Sequence, residues 1–337
     1  MVILMINILI GIVIGTVLTA FIILKVQKKP HDHSELIKQC IAETNKDLSN
    51  CGKKNIQIKV EKLLALNDAE FKLHTGIKKD KFFEVLEFLT NEFNKAHKNG
   101  INSGIGVTCR LVLALTYWRD YRPMRQMALD YDISKSTVCD SIKWVEITLS
   151  KWDKFVLYDI KTEIENLENQ GIKVENIIGD VEEQPIERPT INQEENYSGK
   201  KKRHTTKNQI IIVEGVKRII NYYNASGTTH DYKMLKDSNI LVALEEKNIG
   251  GKFDSGYQGK QNELSKAVIP KKKSKFHELT DDEKEFNKRL SQKRIVIEHV
   301  NRELKIFRIM QETYRNHQNR YEEKLQIMCG IYNLNNS

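Results

Sequence analysis

The chain has 337 residues, with 54 Lys and Arg against 45 Asp and Glu and a formal net charge of +9. That length accommodates two domains with cores of their own, and the basic balance favours an anionic partner, nucleic acid foremost. Five cysteines, odd in number, scattered and without a Cys-x-x-Cys, suggest neither a disulfide framework nor a zinc knuckle and read as free thiols.

The first 24 residues carry no charged side chain and are rich in Ile, Leu and Val. As a helix they reach about 36 Å at ~1.5 Å per residue, against a hydrocarbon core of ~30 Å. Lys25, Lys28 and Lys29 follow at once and no cationic side chain precedes. The pattern predicts an uncleaved transmembrane helix over 1–24 with its C-terminal side in the cytoplasm. Residues 25–60 read as a polar linker, with Pro30, Asn50 and Gly52 as breakers. His31 and His33 form a lone His-x-His with no further ligand type nearby.

A helical domain is expected over 61–150. Phe82, Leu86, Leu89 and Phe93 recur at helical spacing, a further helix covers about Cys109 to Trp118, and Pro123 starts a new element. Met124 to Tyr131 and a second helix from Ser134 to about Leu149, joined by Asp132-Ile133-Ser134, predict a helix-turn-helix with Ser134 as N-cap. Ser134, Lys135, Ser136 and Thr137 then hold the helix start, where a recognition helix touches DNA. An ordinary helical hairpin would show the same local pattern.

From Lys173 the pattern turns to strands at Val174–Ile178, Gln209–Val213 and Lys217–Tyr222, the last two a hairpin about Glu214-Gly215. Helices at about Tyr232–Leu244 and Asp281–Met310 follow. Strands first and helices over them predict an α/β layer across 173–337.

Three carboxylates stand out in this half. Asp180 ends the apolar run begun at Val174, Asp254 opens Asp254-Ser255-Gly256-Tyr257-Gln258-Gly259, and Glu298 lies within Arg294-Ile295-Val296-Ile297-Glu298-His299-Val300. Two strand-end aspartates and one helix glutamate can gather around two Mg²⁺ ions and drive phosphoryl transfer on DNA. At about 100° per residue, Arg294, Glu298 and Lys305 fall within roughly 40° of one another. Such a face could hold a metal and grip flanking phosphates, although a solvated salt-bridged helix reads the same way. Lys200, Lys201, Lys202 and Arg203 cluster without an acid among them, as do Lys271, Lys272, Lys273 and Lys275. The first group is expected to track DNA backbone.

In combination the segments resemble the DDE-superfamily transposases of bacterial insertion sequences, in the five-type branch related to the Harbinger nucleases. The matching stretches are 179–189, 197–205, His230-Asp231, 254–259, Pro270-Lys271-Lys272-Lys273, 294–305 with Phe307-Arg308, Tyr314-Arg315-Asn316 and Ile331-Tyr332-Asn333. They run in family order from about 61 to 336. The resemblance implies a ribonuclease-H-like catalytic domain after an all-α helix-turn-helix domain. It implies Asp180, Asp254 and Glu298 as ligands of two divalent ions, Mg²⁺ or Mn²⁺. Arg188 would support the site's loop, and His230-Asp231 would either cap a helix or serve the site.

Double-stranded DNA, as element terminal repeats and target, would be the substrate, cut and joined by a homodimer or larger synaptic assembly. With the apolar start, the catalytic half would hang from a bacterial inner membrane on its cytoplasmic side. Val181 departs from the small residue usual after the first aspartate, and Ser291 from a tyrosine found in relatives. The alternative is a membrane-tethered DNA-binding protein whose transposase-derived domain no longer works. A structure-specific nuclease without strand transfer would share the triad.

Overall fold

The protein is described by a computed structural model that covers residues 54–97, 104–258, 266–274, 278–316 and 320–337, with three positions between 42 and 47. The expected transmembrane helix over 1–24 and most of the expected linker lie outside the described residues. Among the described residues, no helix is long and apolar enough to cross a membrane.

Helices come first: α1 (Lys54–Leu64), α2 (Asp68–Thr75), α3 (Lys79–Ala96), α4 (Val107–Asp120), α5 (Met124–Tyr131), α6 (Lys135–Leu149) and α7 (Ile160–Asn169). The last residues of the expected linker are therefore helical, because Ile56 and Val60 are fully buried and α1 packs on α4. Helix α4 is the centre of this domain. It is apolar almost all round, from Val107 to Trp118, and α1, α2, α3 and α6 all pack on it.

The helix-turn-helix forms from α5 and α6 with the expected boundaries. Asp132 takes the left-handed conformation that ends α5, and the Ser134 hydroxyl accepts the Thr137 backbone N–H at 3.1 Å to start α6.

The sheet follows: β1 (Asn176–Pro185), β2 (Tyr197–Ser198), β3 (Arg203–Val213), β4 (Ile219–Ser226), β5 (Gly250–Lys252) and β6 (Ala267–Val268). β3 pairs antiparallel with β1, β2 and β4, while β1, β5 and β6 are mutually parallel, giving the order β2-β3-β1-β5-β6 with β4 on the other edge of β3. Helices α8 (Asp231–Asp237) and α9 (Ile240–Glu246) precede β5, and α10 (Asp281–Leu304) and α11 (Tyr321–Asn335) close the chain.

Several elements differ from the sequence expectation. The first strand runs on to Pro185, so Asp180 sits mid-strand rather than at its end. The helix expected over Tyr232–Leu244 is two helices, broken where Asn239 turns left-handed at φ 58°. The long late helix stops at Leu304, with a separate 3₁₀ turn at Arg308–Met310. Its start carries a full capping box between Thr280 and Glu283.

The two halves are packed together. On the C-terminal stretch, the Arg315 backbone N–H donates to the Tyr121 hydroxyl at 2.7 Å. The Asn316 amide donates to the Tyr117 hydroxyl at 2.8 Å, and that of Asn335 to the Gly76 carbonyl at 2.9 Å. Residues Asn50–Ser337 form one unit.

Candidate active site

Period-two alternation divides β1 between the two faces of the sheet. Ile177 lies in the buried cluster of Ile211, Phe253 and Tyr257, and Val181 packs against it. Gly179 faces the same way, and a Cβ there would stand 2.6 Å from the Phe253 ring and 2.8 Å from Ile211. Asp180, Glu182 and Gln184 alternate to the other face, toward α10 and the C-terminal stretch. The departure at Val181 therefore packs into the core, away from the carboxylates.

Helix α10 meets that face of β1 as a row of charges. Arg294 Nη2 lies 3.1 Å from Asp180 Oδ1, Asn301 Nδ2 donates to Asp180 Oδ2 at 2.9 Å, and Lys305 Nζ donates to Glu182 Oε1 at 2.6 Å. Glu298 stands one turn beyond Arg294, exposed, and shares a pocket of about 430 Å³ with Glu182, Arg302 and Lys305. The expected common face of Arg294, Glu298 and Lys305 is present. The two cations, however, are engaged with carboxylates of β1 rather than open for phosphate, and the Arg294 side chain is only 12% exposed.

Asp254 follows β5 by one residue and caps the 3₁₀ turn Ser255–Tyr257, accepting the Gly256 N–H at 2.8 Å. A Cβ at Gly256 would come within 2.3 Å of Asp231 Oδ2 and 3.0 Å of Asp254 Oδ1, so the glycine lets two carboxylates flank one backbone turn. Asp231 does not cap α8; the His230 Nδ1 does, accepting the Tyr232 N–H. Asp231 is paired instead with Lys207, whose Nζ lies 2.8 Å from Oδ1 and also donates to the Thr229 carbonyl.

Beneath the turn, Tyr257 is fully buried with its hydroxyl unpartnered. Burial, then the charges of Asp180, Asp231 and Asp254, hold that phenol well above its usual range.

Asp180 carries the electrostatic signature of the site. Its carboxyl is raised to about 7, by burial first and then by the charges of Asp254, Glu182 and Glu298, against the lowering by Arg294. Anions crowd a half-buried acid here, with one guanidinium to offset them. Oxygen donors of this kind suit a hard divalent cation, and a cation would relieve the repulsion. As the side chains stand, no three acidic, His or Cys groups among the described residues are close enough together to hold an ion. Asp180 is turned to Arg294 and Asn301, and Glu298 points outward. The fit is one of donor chemistry and neighbourhood.

The other expected residues lie at the periphery. Ser134, Lys135 and Ser136 are exposed at the start of α6, where the Ser134 hydroxyl lies 2.7 Å from that of Ser136 and 2.8 Å from that of Thr137. Lys200, Lys201 and Lys202 form the exposed tip between β2 and β3, and Arg203 opens β3. Arg188 is exposed and holds Gln193 at 2.9 Å. Sequence reasoning missed Asn301 and Glu182. Both were accessible by periodicity, since Asn301 is seven residues from Arg294 on one helix face and Glu182 two residues from Asp180 on one strand face.

Comparison with known proteins agrees with this architecture. The helix-turn-helix of DDE superfamily endonucleases matches residues 109–151, and the DDE superfamily endonuclease family matches 180–333. The chain is 34% identical over 278 residues to a probable transposase for insertion sequence element IS702 of Microchaete diplosiphon, covering 82% of this chain and 98% of that protein. No solved structure matches.

Proposed function

This chain belongs to the DDE superfamily of DNA transposases, and from that premise we propose that Asp180, Asp254 and Glu298 are the carboxylates that hold its catalytic divalent ions. The observation that carries the assignment is the half-buried Asp180, held by Arg294 and Asn301 and raised to about 7 with Asp254 and Glu298 among the causes. Mg²⁺ or Mn²⁺ bound there would polarise the scissile phosphate and offset the charge that develops on it.

The chain's own residues do the rest. Gly256 lets Asp254 and Asp231 crowd one turn, and Lys207 takes the charge of Asp231 so that Asp254 is left for the site. Arg294 stabilises Asp180 as an anion. Lys305 pairs with Glu182, on the wall that Glu182 shares with Glu298. The α6 start reads element ends, and the Lys200–Arg203 tip grips backbone without sequence preference.

Finer readings belong to the same proposal. The sheet, three antiparallel strands beside parallel ones with Asp180 on β1 and Asp254 after β5, is of ribonuclease-H type. The order of motifs supports the five-type branch. Joining two element ends calls for at least a dimer. Residues 1–24 would anchor the chain in the inner membrane with the catalytic half in the cytoplasm, through residues 25–60 and a DNA-reading domain over 61–150.

The test is cleavage of end-labelled element DNA. Asp180→Ala, Asp254→Ala and Glu298→Ala should each abolish metal-dependent cleavage with DNA binding largely intact. Near wild-type cleavage by the Glu298 variant would remove α10 from the site.

A further inference from the structure

Asn301 is 3% exposed, on the face of α10 that lies against β1. An asparagine at a helix–sheet interface is an unfavourable choice for packing alone. It has a modest helix propensity, and its amide must be desolvated, so an apolar side chain of equal size would serve a core better. What the residue does is donate its amide to Asp180 Oδ2 at 2.9 Å, while Arg294 stands at 3.1 Å from Oδ1. The two oxygens are thereby held separately, and rotation of the carboxyl about its terminal bond is restrained.

We propose that Asn301 is a positioning residue: its amide fixes the orientation in which Asp180 is presented to a divalent ion. The inference rests on the reading of Asp180 as a metal ligand. It differs from the role of Arg294 in charge. A guanidinium stabilises the anion but competes electrostatically with an incoming cation for the same carboxylate. A neutral amide holds one oxygen without opposing the ion. Donors of this kind behind a ligand set both its orientation and the affinity of the site.

The experiment uses the full chain and Mn²⁺ alone, with free Mn²⁺ read by electron paramagnetic resonance, beside cleavage of element DNA at varied Mn²⁺. Asn301→Leu, matched in size and lacking the donor, should weaken Mn²⁺ binding by about ten- to a hundredfold. Its cleavage rate should recover partly at high Mn²⁺, and KM for DNA should not change. Asn301→Gln, which keeps the amide, should recover part of the affinity, and Asn301→Ala reads the same loss if the leucine variant does not fold.

Wild-type Mn²⁺ affinity in the leucine or alanine variant, or no recovery with glutamine, overturns the proposal. Asp180→Asn separates the two readings. If it leaves Mn²⁺ binding intact, the assignment of Asp180 as a ligand fails. If it abolishes binding while the Asn301 variants bind normally, only the role of Asn301 fails.

Discussion

Removing the charge of Asp180 should stabilise the metal-free protein, and more so as the pH rises. The carboxyl moves from its usual 3.8 to about 7 in the folded chain. A raised acid binds its proton more tightly folded than unfolded, so its contribution is fully present below about 4 and is lost as pH climbs through 7. A rise from 3.8 to about 7 corresponds to about 4 kcal/mol. That figure is the ceiling on what ionised Asp180 costs the metal-free fold at pH 8.

Asparagine mimics the protonated acid in shape and charge. Asp180→Asn should therefore match wild type near pH 4 and exceed it increasingly toward pH 8. For a unit of this size, each kcal/mol moves the melting temperature by about 2 to 4 °C. Thermal melts in chelator at pH 4.5, 6 and 8 measure the trend, and the same melts with Mg²⁺ should reverse the order, since only the wild type gains from the ion. A variant less stable than wild type at pH 8 in chelator, or a difference flat with pH, would show that Asp180 is not the strained acid described.

Four further outcomes are expected. Lys135→Ala with Thr137→Ala should cut discrimination between element ends and random DNA by at most a few kcal/mol, whereas replacing Lys200, Lys201 and Lys202 should weaken binding to all DNA and flatten the log–log salt slope by up to about three. Competition binding at several salt concentrations separates them, and a slope unchanged by the lysine variant removes the β2–β3 tip from the interface. Glu146→Ala should destabilise the chain by roughly 3 to 5 kcal/mol in urea, because the buried Glu146 takes Arg320 at 3.1 Å, Lys324 at 3.2 Å and the Trp118 indole N–H at 3.1 Å; a loss under about 1 kcal/mol would mean those cations find other partners. The full chain should resist alkaline carbonate extraction from membranes, since sixteen Leu, Ile, Val or Phe in 2–24 favour insertion by up to ~5 to 10 kcal/mol; release into the wash with that segment present would show that it does not anchor the protein.

What the sequence revealed and hid follows from whether local pattern or tertiary pairing made each element. Helix-turn-helix boundaries were legible because Asp132 and Ser134 are local stop and start signals. Asp180 was legible as a residue but not as mid-strand. Glu182, Glu183, Gln184 and Pro185 are poor strand formers, and the strand continues because β3 pairs with all four. Lys305 takes Glu182, and the buried Gln184 donates to the Ile309 and Glu312 carbonyls. The break at Asn239 left no proline or glycine to mark it. Helix α11 was hidden for the opposite reason: buried on nearly every side, it shows no amphipathic stripe, and its Gly330 reads as a breaker when it is the point where Phe155 presses on the helix. Asp254 and Asp231 are brought together only by the fold around Gly256, which spacing in the chain cannot express.

The same C-terminal helix joins the helix proposed to read DNA to the strand proposed to serve its cutting. Thr137 lies in the first turn of α6, and Glu146 lies on the same helix, held by Lys324 of α11. Tyr321, one turn earlier on α11, donates its hydroxyl to Gln184, which is four residues along β1 from Asp180. It also accepts from the Asn208 amide of β3 at 2.5 Å. Every link in that path is a buried side chain or a continuous element. A flexible linker between the two domains would let the site sample many phosphates on either side of the sequence being read. Packed through α11, a site at Asp180 would meet the phosphate that its fixed distance from α6 selects, so position would be set by the fold and the proposed chemistry left to ligand geometry.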